Sequence, residues 1–269
     1  MSALLGAHAG APLHDTTMMK LAFSGKGGSG KTTIAALVSK IYARGGRKVL
    51  VVDADPDANL ALTLGFPQPD KITPITELKE LIHERTETTE TSAGMFFKMN
   101  PKVDDIPDSL SVVHEGIRLI HMGTIYKGGG GCACPENVFV RTLLTHLMLE
   151  RDEVVLVDLP AGIEHLGRGT AMGVNMLIIV TEPTPQSIQT LNRIKNLSAD
   201  LKIKNVTAIG NKITTDDQKK FILSNSPLEV LGFLPYDEKL ARGKITDASS
   251  SLLEELKEAL YKIDGILAG

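Results

Sequence analysis

Residues 25–33 read GKGGSGKTT and follow directly on the apolar run KLAFS at 20–24. Gly25, Gly30, Lys31 and Thr32 fit the spacing G-x-x-x-x-G-K-[ST], which makes physical sense in one setting: a strand, a tight glycine loop and a helix N-terminus. Glycine lets backbone N–H groups converge on phosphate oxygens, and the helix beneath favours negative charge. The loop residues Lys26, Gly27, Gly28 and Ser29 would line that cradle, with Thr33 just inside the helix. Lys31 is expected to reach the β- and γ-phosphates, and the Thr32 hydroxyl to ligate Mg²⁺.

The rest of the chain supplies the sheet that such a loop needs. Short apolar runs read as buried strands at 20–24, 48–55, 153–160, 175–182, 206–212 and 230–235. Helical patterns lie between most of them, as at 32–44, 185–201 and 215–224. Continuous apolar strands alternating with helices indicate a parallel sheet covered on both faces. The expectation is an α/β single-domain P-loop NTPase, with a mostly parallel sheet of about seven to eight strands flanked by helices. Its functional loops would lie at the carboxyl ends of the strands. Residues 66–127 break the rhythm and read as an elaboration of the same domain, with two further strands at MFFKM and IRLIHMG. The last segment carries Leu252, Leu256, Leu260, Ile263 and Leu267 at helical spacing, which predicts a packed terminal helix.

Composition narrows the partners. The 269 residues are 42% hydrophobic and 23% charged, with a net charge of −3, which argues against a general nucleic-acid binder. No run approaches the roughly 20 apolar residues that span a membrane. Two cysteines are too few for a disulfide framework, so a cytoplasmic setting is expected. Residues 1–18 make a poor secretion signal and read as an N-terminal extension, ahead of an ATPase domain at 19–269.

Lys26 is a second lysine within the loop. KGGSGKTT resembles the deviant phosphate loop of the class that includes MinD, ParA and the nitrogenase iron protein. The resemblance implies that Lys26 crosses a dimer interface to touch the partner's nucleotide, where a cation would stabilise charge spreading over the γ-phosphate. It also implies that Asp53, in VVDADPDANL, supports the Mg²⁺ shell and that Asp55 positions the attacking water. Asp57 could cap the helix that follows. Asp158 ends the apolar run VLVDLP as a Walker-B carboxylate should, and Gly162 follows where a switch loop would sense the γ-phosphate. Asn211 and Lys212 match the position that relatives use against adenine, with Pro235 and Tyr236 as the other wall. Position 214 is Thr214, so the guanine pattern N-K-x-D is absent. The expected activity is ATP hydrolysis by Lys26, Lys31, Asp55 and Asp158.

The chain's whole complement of sulfur-bearing thiols lies in one corner, KGGGGCACP at 127–135. Cys132 and Cys134 offer two thiolates, and soft divalent sites normally use four. A two-fold dimer would supply the missing pair on its axis. The glycines Gly128–Gly131 would let that loop, at 128–135, open and close. Idle thiols, a strained local disulfide and a shared iron–sulfur cluster are the competing readings.

The stretches KGGSGKTT, DADPDANLALTLG, FKMNPKVDDIP, IRLIHMGTIYKGGGGCACPEN and AGIEHLGRGTA together resemble the CooC-like nickel-insertion ATPases, from about Lys20 to the end. That family matures carbon monoxide dehydrogenase, and a close branch serves acetyl-CoA synthase. The resemblance implies a nucleotide-dependent homodimer that binds Ni²⁺ at shared cysteines and delivers it to the client enzyme. Nothing in the spacing selects Ni²⁺ over Zn²⁺. A MinD- or ParA-like positioning ATPase and an iron–sulfur cluster carrier remain alternatives. His121 and His146 read as ordinary histidines; His165, in GIEH, reads as a polar loop histidine, with a switch-loop sensor or metal neighbour as the competing reading.

Overall fold

Alternate residues of each central strand feed two different cores. In a computed structural model describing residues 19–91, 94–123, 134–149, 153–163, 166, 168–243 and 245–268, the first strand, β1 (Met19–Gly25), is buried along its whole length. Leu21 and Phe23 point into one hydrophobic cluster and Ala22 into the other. β2 (Val49–Asp53) splits likewise, Val51 to one side and Leu50 to the other. A strand with two dry faces has no room for polar alternation, which explains the unbroken apolar runs.

Eight strands form the main sheet. After β1 and β2 come β5 (Val112–His114), β6 (Ile117–His121), β7 (Val154–Asp158), β8 (Met176–Thr181), β9 (Val206–Ile213) and β10 (Val230–Pro235). Between β2 and β5 lies a separate hairpin, β3 (Thr89–Thr91) with β4 (Gly94–Phe96). The order across the sheet is β10-β9-β8-β1-β7-β2-β6-β5. All neighbours are parallel except β5 and β6. The expected strand at MFFKM therefore belongs to the small hairpin and not to the sheet, whereas IRLIHMG contributes β6.

Helices cover both faces. α1 (Lys31–Arg44) and the terminal α10 (Ser250–Ala268) share one cluster, and α5 (Pro135–Leu149) and α7 (Pro185–Asp200) share the other. α10 buries Leu252, Leu256, Leu260 and Ile263, the stripe expected from spacing. Burying each such leucine contributes on the order of 2 kcal/mol. No helix among the described residues is long and apolar enough to cross a membrane.

The remaining helices are short or peripheral: α2 (Leu60–Leu64), α3 (Lys79–Thr86), α4 (Ile106–Leu110), α6 (Arg168–Met172), α8 (Asp216–Asn225) and α9 (Glu238–Ala241). Within the 66–123 stretch, β5 and β6 pair with each other and β6 pairs with β2, so this elaboration joins the same sheet.

Candidate functional site

Three adjacent parallel strands end in register on His121, Asp53 and Asp158. Asp53 is paired with His121 on β6 and with Asp158 on β7, while Asp158 is paired with Phe23 on β1. Parallel pairing thus delivers the ends of β6, β2 and β7 to the same edge as the phosphate loop. That edge is the crevice where ligands bind in open α/β sheets.

The loop is shaped by two crowded glycines. A Cβ on Gly25 would strike the Val180 carbonyl oxygen, and one on Gly30 would strike the Asn211 side-chain nitrogen. Gly30 also sits at φ 94°, in the left-handed region, where a side chain costs energy. The Ser29 N–H donates to the Lys26 carbonyl at 3.0 Å and closes a turn over Lys26. The side chain of Lys26 has no hydrogen-bond or ion-pair partner among the described residues.

Behind the loop, the catalytic candidates pair with one another. Lys31 Nζ lies 2.6 Å from Asp55 Oδ2, with both side chains largely buried. The Thr32 hydroxyl donates to Asp158 Oδ2 at 2.6 Å. Asp158 Oδ1 is buried with no hydrogen-bond partner among the described residues. Burial, reinforced by the nearby carboxylates of Asp53 and Asp55, pushes the Asp158 carboxyl up to about 7, against the pull of Thr32 and Lys31. Burial also raises Asp53, offset by its backbone hydrogen bonds and by His121.

Asp53 does a job expected of Asp57. Its Oδ2 accepts the Leu60 N–H at 3.0 Å and so caps α2, while its Oδ1 accepts the Asp55 N–H at 3.3 Å. Asp57 is exposed and does not cap that helix. Asp53 is buried at the end of β2, where its carboxylate reaches the first amide of α2.

The orphaned oxygen of Asp158, the Thr32 hydroxyl and the carboxylate of Asp53 form a set of hard oxygen donors. Such a set fits Mg²⁺. Next to the loop, Asn211, Lys212, Pro235 and Tyr236 line a cleft of about 200 Å³ together with Gly30 and Leu37. Tyr236 is half exposed there, and Asn211 is buried. Gly162 is tied back to β1, because the Ser24 hydroxyl donates toward its carbonyl at 3.4 Å and toward that of Pro160 at 3.2 Å.

Cys134 is half-buried immediately before Pro135, the first residue of α5. It lines a cleft of about 520 Å³ with His121, Glu77 and Asn137. His121 also borders the neighbouring cleft, which reaches Asp53. Reading His121 as ordinary missed this shared position. The informative feature was its place at the end of a strand parallel to that of Asp53. Cys132, the glycines Gly128–Gly131, His165 and residues 1–18 lie outside the described residues.

Comparison with known proteins agrees with this architecture. Residues 20–249 match the CobQ/CobB/MinD/ParA nucleotide-binding domain. The chain is 44% identical over 248 residues to an uncharacterized ATP-binding protein of Methanocaldococcus jannaschii, covering 91% of this chain and 96% of that one. It is 44% identical over 225 residues to the carbon monoxide dehydrogenase accessory protein CooC of Rhodospirillum rubrum, covering 82% and 85% respectively. Among solved structures, the MinC:MinD cell division complex of Aquifex aeolicus superposes with a TM-score of 0.63 at 20% identity, covering 94% of this chain and 96% of that one. At that identity the likeness is one of fold.

Proposed function

The chain belongs to the CobQ/CobB/MinD/ParA nucleotide-binding family, and on that premise we propose that it is a nickel-insertion accessory ATPase, working as a nucleotide-dependent homodimer. It is an ATPase of the MinD/ParA class with CooC-like sequence. Delivery of Ni²⁺ to carbon monoxide dehydrogenase or acetyl-CoA synthase is the reading of its role. One observation carries it: Cys134 stands at the head of α5 in a cleft bordered by His121, whose strand partner is Asp53. The Cys134 thiolate thus borders the same cleft as the strand partner of Asp53. Zn²⁺ at the same cysteines is the competing cargo.

In this reading residues 19–269 are the ATPase domain and 1–18 an extension. Gly25–Thr33 hold the ATP phosphates. Lys31 leaves Asp55 for the β- and γ-phosphate oxygens, and the freed Asp55 carboxylate orients the attacking water. Thr32 and Asp158 would hold Mg²⁺, with Asp53 supporting them while its oxygens stay on the Leu60 and Asp55 N–H groups. A Mg²⁺ held by these residues would supply neutralising charge to the phosphates. Lys26 reaches the partner's γ-phosphate in the closed dimer. Asn211 has its amide nitrogen committed to the Ser29 carbonyl at 2.8 Å, which leaves its oxygen to accept from the adenine amino group. Pro235 and Tyr236 flank the ring. ATP closes the dimer and sets the geometry of Cys132 and Cys134, and hydrolysis releases the metal through the differing contacts of the two states.

The direct test is activation of a nickel-free client enzyme. With this chain, Ni²⁺ and ATP, activity should appear faster than with Ni²⁺ alone, and a non-hydrolysable ATP analogue should remove the gain. Equal activation without the chain or without hydrolysis would contradict the proposal.

A further inference from the structure

Asn211 and Lys212 are consecutive residues of β9, and both side chains reach the same loop. Asn211 Nδ2 donates to the Ser29 carbonyl at 2.8 Å, and Lys212 Nζ donates to the Gly28 carbonyl at 2.6 Å. Neighbouring residues of a regular strand point to opposite faces, so an ordinary strand could not do this. Lys212 breaks the rule with φ 59°, a left-handed conformation. A non-glycine residue pays for that conformation, and such strain persists where the surroundings enforce it. What enforces it here is a second bond: Lys212 Nζ lies 2.6 Å from Glu182 Oε1, at the end of β8.

The peptide unit gripped by Lys212 has its own second partner. The N–H of the Gly28–Ser29 unit is the one that donates to the Lys26 carbonyl and closes the turn Lys26–Ser29. Gly28 takes φ 79° at the third position of that turn, as a type II turn requires. A cation on the carbonyl polarises the N–H of the same unit and strengthens the bond on its far side. The chain of contacts therefore runs Glu182, Lys212, Gly28 carbonyl, Ser29 N–H, Lys26 carbonyl. It ends on the residue whose own ammonium has no partner among the described residues.

We infer that Lys212, held by Glu182, is a positioning residue that fixes the turn presenting Lys26 to a second copy of this chain. This is a different job from contacting adenine. It rests on the reading of Lys26 as the lysine that acts across the dimer, and is independent of the cargo metal.

The test is a double-mutant cycle on turnover, with Lys26→Ala, Lys212→Met and the combined variant, alongside ADP and IDP affinities. Lys212→Met should lower kcat roughly tenfold, the scale of one charge-assisted hydrogen bond, with ADP affinity within threefold and ADP-over-IDP preference intact. In the Lys26→Ala background the same change should cost less than twofold, since there is no lysine left to position. Retained ADP binding shows that the variant is folded. If Lys212→Met does not fold, Glu182→Gln carries the cycle, with a three- to tenfold loss expected in the wild-type background alone. Fully additive losses, or a collapse of the preference for ADP over IDP, would overturn the inference. A Lys26→Ala chain with unchanged turnover would instead sink the reading of Lys26 on which it rests.

Discussion

Thr32 donates its hydroxyl proton to Asp158 Oδ2 at 2.6 Å, and the other oxygen of that carboxylate is buried without a hydrogen-bond partner among the described residues. A buried carboxylate with one unsatisfied oxygen is costly in isolation. The cost disappears if the group is protonated or meets a cation.

The first prediction concerns pH. The Asp158 carboxyl is pushed up to about 7 by burial, so the folded chain holds that proton more tightly than the unfolded chain does. The contribution is fully present below the ordinary carboxylate range near pH 4 and is lost as pH rises through about 7. Without nucleotide or metal, Asp158→Asn should therefore gain stability relative to wild type between pH 4 and pH 8, by at most about 4 kcal/mol. Urea unfolding of both chains at the two pH values checks this. A stability difference that does not change with pH would contradict it.

Lys31 and Asp55 hold each other at 2.6 Å, yet each is assigned to a different partner when ATP is bound. Asp55→Asn should weaken that embrace without removing the phosphate cradle. Nucleotide affinity should stay within about fivefold of wild type, while kcat falls on the order of 100-fold, the scale for a misplaced water. Lys31→Ala should instead lose ATP binding. Equilibrium binding of a fluorescent ATP analogue, set beside steady-state turnover, separates the two outcomes.

Gly25 tests the packing of the loop. Its missing Cβ leaves room for the Val180 carbonyl oxygen, a backbone atom of β8 that cannot swing away. Gly25→Ala should cost about 2–4 kcal/mol by overpacking and should weaken nucleotide binding as well. Chemical denaturation showing less than about 0.5 kcal/mol of loss would mean that the strand can shift after all.

Lys26 leads to a prediction about assembly. Its side chain is half-exposed and has no hydrogen-bond or ion-pair partner among the described residues, so truncating it breaks no such contact there. Lys26→Ala should bind ATP as a single chain does but fail to dimerise with it. Light scattering with ATP and Mg²⁺ would show the wild-type mass doubling and the variant's mass unchanged. Equal doubling in both would remove Lys26 from the interface.

Much of this was legible in the sequence because the physics was local. The loop GKGGSGKTT carries its chemistry in its spacing, and each buried strand announces itself by an unbroken apolar run. Other features depended on uncommon backbone conformation or on residues outside the local pattern. Strand β5 escaped because its turn uses Glu115 at φ 47° before Gly116, a conformation that glutamate rarely adopts. The cap on α2 was misassigned to Asp57 because the carboxylate that does the work, Asp53, lies seven residues before the amide it accepts from. The clamp of Glu182 on Lys212 joins the ends of two different strands, and His121 gains its meaning only from register with Asp53. Neither of these last two pairings leaves a pattern within a short window.

The central claim is that a metal site is shared between two copies of this chain. It is tested most directly by metal stoichiometry against oligomeric mass, for wild type and for Cys132→Ser/Cys134→Ser, with Ni²⁺ and Zn²⁺ offered in turn. One Ni²⁺ per two chains, absent from the double variant while ATP binding persists, is the predicted result. Metal that survives loss of both cysteines, or bound iron and sulfide in place of nickel, would contradict it and leave an ATPase with a different cargo.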